Sequence, residues 1–281
     1  MRGTYAAELL KLRKRAASWV LLAAALVLSL AFGYLLPYLG YLTGDEMTAD
    51  SGQPPEVVLG STLPGSLVAN AIGGYPVFAG ALALVLGALV TGGEYGWGTL
   101  KTLLTQGPGR PAVLGGQLAA LATALLGWVV AIFACCAASA TAIALAEDRP
   151  LDWPTVTQLA QGLGAGWLIL VAWGLAGALL GTVLRGVALP IGLGVVWVLA
   201  VEALIRGVAG DLLPGLQGFA DLLPGVNAGS LVWSVSSYAV GEPAPGVGDA
   251  VPGTRAVLTL GCYVLAFAAA GLAALRRRDV V

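Results

Sequence analysis

Glu202 and Arg206 stand four residues apart inside an otherwise apolar run. On a helix that spacing puts both side chains on one face, where a carboxylate and a guanidinium can pair. Ionisable groups inside a membrane helix are costly and mark function, so deep in a span they would form a polar gate or an ion-coupling site. Toward the end of a span they form an ion pair that snorkels to the interface. The position of Glu202 and Arg206 near the outer end of their run favours this outer polar pair. Other chemistry is scarce. The chain has no histidine, which removes His-based triads, His metal sites and histidine proton relays. Cys135, Cys136 and Cys262 all lie in apolar runs, where small buried side chains are expected. No stretch fits the phosphate-cradling G-x-x-x-x-G-K-[ST] loop, and the glycine-rich GPGRP and GEYGWG follow no strand. Catalytic, cofactor-binding and metal sites are therefore expected to be absent, and the chain is not expected to be an enzyme.

The remaining polar concentration is TGGEYGWGTLKTLLTQGPGR, Thr91 to Arg110, between two hydrophobic runs. Gly92, Gly93 and Gly96 are expected to break the end of the preceding run. Trp97, Leu100 and Leu104 then fall on one face of a short helix, with Lys101 and Thr102 turned away. Gly107-Pro108-Gly109 stops it, and Arg110 opens the next run. A compact, capped helix between two spans is a rigid lever that a soluble partner could push.

The elements around these residues follow from composition. Of 281 residues 58% are hydrophobic and 10% charged, with a mean hydropathy of +0.88. About 20 apolar helical residues cross a bilayer core, and six such runs occur, near 17–40, 67–90, 113–145, 157–183, 187–206 and 256–275. The first is too long for a signal-peptide core and has no clear cleavage site. With six spans, Arg2, Lys11, Arg13, Lys14, Arg15, Lys101, Arg110, Arg185 and Arg276 to Arg278 fall on one side, while most acids fall on the other. Basic flanks face the cytoplasm, so both termini are expected there. A net charge of −1 leaves no basic surface for nucleic acid. Residues 1–16 suggest an amphipathic helix lying in the headgroup plane, with Tyr5, Leu9, Leu12 and Ala16 on one face. Residues 41–66 look irregular. Residues 207–255 carry the pentad DLLPG twice, from Asp211 and from Asp221, and suggest short re-entrant or outer helices stopped by Pro-Gly. Gly162, Gly166, Gly177 and Gly181 allow close helix crossing with a partner inside the chain or in a second copy. The expectation is an all-α integral membrane protein, a single transmembrane domain over 1–281: interfacial helix 1–16, spans one to five over 17–206, outer segment 207–255 and span six at 256–275.

The segment GEYGWGTLKTLLTQGPGR resembles the first cytoplasmic loop of ABC-2 type transporter permeases, where an E-x-x-x-G-T-L-[KR] pattern follows the second span. The basic N-terminus, the six spans and the long outer segment match that family's layout. Gly96 stands where the family commonly has a basic residue. The resemblance implies that Glu94, Tyr95, Trp97, Gly98, Thr99, Leu100 and Lys101 form the coupling-helix region that contacts the ATPase. It implies an N-terminal connecting helix and a re-entrant pair in the outer segment. It further implies a permease subunit that forms the translocation path, binds no cofactor itself and leaves ATP to a separate ABC ATPase subunit. Its partners would be that ATPase, a second permease chain in a homo- or heterodimer, and membrane lipid, with no nucleic acid. A path without midplane charge suggests export of a lipophilic or amphipathic substrate, and high Ala, Gly and Leu content suggests a high-GC bacterium, whose plasma membrane would hold the chain. The alternatives are a non-transporting membrane scaffold or immunity-type protein, and an ion-coupled secondary transporter.

Overall fold

The computed structural model describes residues 2–44, 54–96, 98, 109–211, 215, 217–236 and 243–277. Helix α1 covers Arg2–Lys14, and Arg15, with an extended backbone, separates it from α2, Ala16–Thr43. Helix α3 is Pro55–Thr62. Helix α4 runs over Pro64–Gly96, α5 over Arg110–Ala146, α6 over Val156–Leu184 and α7 over Ala188–Val208, its last turns continuing to Asp211. Then come α8, Gln217–Ala220, α9, Pro224–Val235, and α10, Gly253–Arg277. No strand occurs among the described residues. Six helices, α2, α4, α5, α6, α7 and α10, are long and apolar enough to cross a membrane, the composition and length of a multi-pass membrane protein.

All six expected runs become helices, each within a few residues of its expected bounds. Helix α5 has 37 residues, about 55 Å at 1.5 Å per residue, so it extends well beyond a hydrocarbon core of about 30 Å. Three of the spans contain a wider π segment: Ala31–Leu35 in α2, Tyr75–Ala79 in α4 and Trp197–Val201 in α7. Residues 55–62, expected to be irregular, form α3. Pro55 sits in its first turn, where the missing N–H costs nothing, and Glu56 pairs with Arg149 at 2.7 Å.

Helices α4 and α6 form the centre. In their most apolar stretches 72% and 61% of residues are buried, against 11%, 22% and 17% in α2, α7 and α10. Lipid tails are as apolar as leucine, so close packing and interhelical hydrogen bonds, rather than a hydrophobic drive, hold such a pair. Glycines supply the closeness. A β-carbon on Gly87 would strike the Gly174 carbonyl, and one on Gly177 the Leu84 carbonyl. The Thr91 hydroxyl donates to the Ala178 carbonyl at 2.8 Å, beside Gly181. Gly162 and Gly166 face Val68 and Tyr75 in the first part of α4. The small-residue pairs of α6 thus meet α4 of the same chain.

At one end of the bundle α1 lies on the start of α5, with Thr4 against Gly116 and the Tyr5 hydroxyl bonded to Thr123. Leu12 is buried and Tyr5 and Leu9 half-buried, but Ala16 is exposed. The apolar face of α1 is covered by protein. At the opposite end Glu147 accepts hydrogen bonds from Tyr38 (2.7 Å) and Tyr41 (3.1 Å), tying α5 to α2. Cys136 is buried and Cys135 partly so, whereas Cys262 is exposed on α10, contrary to its expected burial.

The segment between α7 and α10 departs from its expected form in one respect. The second Pro-Gly does not stop a helical turn. Pro224 occupies the first turn of α9, where its fixed φ favours initiation. Every residue from Pro224 to Val232 is buried, so α9 is a short helix enclosed by protein. The first DLLPG copy from Leu212 to Pro214 lies outside the described residues, as do 45–53.

Candidate functional site

The polar concentration at the α1 end assembles around Glu94. Helix α4 does not break at Gly92 and Gly93; it continues to Gly96. The glycines serve proximity instead. A β-carbon on Gly92 would meet the Gly186 carbonyl in the turn between α6 and α7, and one on Gly93 would lie 2.9 Å from the Arg15 guanidinium. This continuation carries Glu94, only 5% exposed, up to α1. There the Lys11 ammonium sits 2.8 Å from Glu94 and 2.8 Å from Glu8, itself 3% exposed. Glu8 and Lys11 are three apart on one face of α1, and Arg15 follows at the extended residue just past its end. Arg15 also donates to the Leu89 carbonyl at 2.9 Å.

Two acids and two bases thus neutralise one another at the junction of α1 and α4. Burial pushes the Glu8 carboxyl above its usual pKa, against the opposing pull of the Lys11 hydrogen bond. Burial disfavours the Lys11 ammonium, but the hydrogen bonds to Glu8 and Glu94 outweigh it and hold the pKa above its ordinary value. One ammonium shared by two carboxylates is a fastener whose loss leaves two buried charges facing each other.

The following residues are fastened as well. Tyr95 packs on a small cluster of Val113, Leu114 and Leu275, from the start of α5 and the end of α10. Gly98 has φ +66, a left-handed conformation that glycine adopts without steric cost. Where the chain returns, Arg110 donates to the Leu275 and Arg276 carbonyls at 3.2 and 3.1 Å, capping the C-terminus of α10, where carbonyls lack helical partners and favour a cation. The segment from Glu94 to Arg110 therefore leaves and re-enters the bundle where α1, α4, α5 and α10 converge. Of the expected contact residues the structure brings Glu94, Tyr95 and Gly98 to this end. Trp97, Thr99, Leu100 and Lys101, with the short helix expected there, lie outside the described residues. Glu8, Lys11 and Arg15 were not singled out as site residues by sequence reasoning. The three- and four-residue spacing of a lone acid among bases was the available signal.

Glu202 and Arg206 do not form the expected direct ion pair. Trp197 to Val201 wind as a π segment, which brings residue i+5 rather than i+4 into line. Accordingly the Trp197 indole N–H donates to Glu202 at 2.9 Å, and the Gly225 backbone N–H in the first turn of α9 donates to the same carboxylate. Arg206 acts on that charge only through space, and its Nε is buried without a hydrogen-bond partner among the described residues. Glu202 is 2% exposed, which excludes snorkelling to an interface.

Compared with protein-family models and with curated proteins, the chain matches none.

Proposed function

We propose that this chain is the membrane subunit of an ABC exporter of the ABC-2 type, driven by separate ATPase subunits. The observation that supports this most is the double anchorage of the Glu94–Arg110 segment: Lys11 holds its start to α1, and Arg110 holds its end to α10. A push on that segment is delivered to four helices at once. A surface loop without a partner needs no such fastening. The mechanism is mechanical. Nucleotide binding closes a pair of ATPase subunits in the cytoplasm, their movement displaces the segment between α4 and α5, and two permease chains shift between inward- and outward-open forms. Each bound state biases that equilibrium only by its difference in affinity for the two forms. The termini are then cytoplasmic, the chain sits in a bacterial plasma membrane, and the cargo is lipophilic or amphipathic.

The test is co-purification of the tagged full chain from its native membrane. A nucleotide-hydrolysing subunit should accompany it and be lost on Leu100→Asp without a change in the thermal midpoint of the permease. Transport by the purified chain alone on an ion gradient, or labelling that places Lys101 outside the cell, overturns the proposal.

A further inference from the structure

Two sequence features left over from the coupling region, Glu202 and the second DLLPG, meet in the structure. The turn Asp221 to Asn227 introduces α9 and is held from several sides. Asn227 donates from its side chain to the Asp221 and Leu223 carbonyls at 2.9 and 2.8 Å. From α10, the Tyr263 hydroxyl donates to the Leu222 carbonyl at 2.9 Å. From α7, the Glu202 carboxylate lies so close to Gly225 that any β-carbon there would collide with it, and it accepts from the Gly225 amide and the Trp197 indole. An anionic group at a helix N-terminus meets unpaired N–H groups and the positive end of the helix dipole. Farther along, Ser230 accepts from the Val251 amide, and Gly229 abuts the Gly246 carbonyl, so the chain after α9 folds back over it.

We propose that Glu202 is a positioning residue: its carboxylate, aligned by the π turn and Trp197, clasps the N-terminus of α9 to α7 and keeps that enclosed helix seated against α10, α6 and the first part of α4. Glycine at 225 is required because the carboxylate occupies the space of a side chain. Three separate sequence features, an intramembrane acid, a tryptophan five residues before it and a Pro-Gly start to a short helix, thereby share one purpose.

The clasp is tested on the purified full chain in lipid nanodiscs, by the rate at which a water-soluble maleimide labels a thiol introduced by Ala228→Cys. Ala228 is fully buried in α9. Cys135 and Cys262 are replaced by serine, and the buried Cys136 of α5 remains as an internal reporter of general unfolding, the two thiols being separated by peptide mapping. Glu202→Gln and Trp197→Phe should each raise labelling at position 228 by about fivefold or more while Cys136 labelling stays constant. Arg206→Gln should change it less than twofold. Unchanged labelling at 228, equal increases at 228 and Cys136, or a larger effect of Arg206→Gln than of Glu202→Gln overturns the clasp. The assay needs neither nucleotide nor partner, so its failure is distinct from failure of the transporter proposal, which co-purification decides.

Discussion

Removing the Lys11 ammonium should loosen the docking of α1. In Lys11→Met the stem remains, but Glu8 and Glu94, with side chains only 5% and 6% exposed, lose a shared partner at 2.8 Å. Breaking a fully buried pair costs about 3–5 kcal/mol, whereas exposed pairs contribute about 0.2–1 kcal/mol. The Lys11 side chain is 45% exposed, and Arg15 still offsets part of the charge, so the loss should fall between these, about 1–2 kcal/mol. That corresponds to roughly 5- to 30-fold faster opening, since about 1.4 kcal/mol is a factor of ten. Hydrogen exchange of peptides covering Arg2–Lys14, measured on the full chain in nanodiscs, reads this opening directly. Glu94→Gln should accelerate the same peptides, and the double variant should lose about 1 kcal/mol less than the sum of the single losses, because the two groups serve one contact. Unchanged exchange in Lys11→Met, or strictly additive losses, would refute the fastener.

Two further outcomes follow from the same geometry. The Glu8 pKa is raised above 4.5 in the docked state by burial, so docked α1 binds that proton more tightly than free α1. Docking should strengthen as pH falls from neutral toward 4.5, and Glu8→Gln should flatten this response; the Lys11 contribution, with a pKa raised above 10.5, is fully present throughout that window and is lost only at strongly alkaline pH. Exchange of α1, corrected for intrinsic pH dependence, is the measurement. At the centre, Gly87→Ala forces a methyl into the Gly174 carbonyl and should cost about 1–3 kcal/mol, seen as a lowered thermal midpoint, while Gly127→Ala, whose β-carbon meets open space in α5, should hold or slightly raise the midpoint.

The six long apolar helices were legible because long uncharged runs have few soluble alternatives. The gathering of bases was legible too: Lys11, Arg15, Arg110 and Arg276 meet at the α1 end of the bundle, although Glu8 and Glu94 join them there. What sequence spacing could not supply were contacts across the chain and departures from the 3.6-residue repeat. Lys11 and Glu94 are 83 residues apart, and no local pattern links them. Gly92 and Gly93 suggested a break because glycine is a poor helix former in isolation, but packing against Gly186 and Arg15 overrides that weak preference. Glu202 was matched to Arg206 by regular helical spacing, and the π segment before it aligned Trp197 instead. At Pro224 the sequence is ambiguous, since Pro-Gly serves at either end of a helix and only the burial of the following residues shows which.

The glycine seam between α4 and α6 restricts how these two helices can move relative to one another. Where backbone meets backbone, as at Gly87 with Gly174 and Gly177 with Leu84, sliding one helix by a turn would drive a larger residue's side chain into a carbonyl. These two helices are keyed together like a spline in its slot. Tilting or rotating as one body remains open to them.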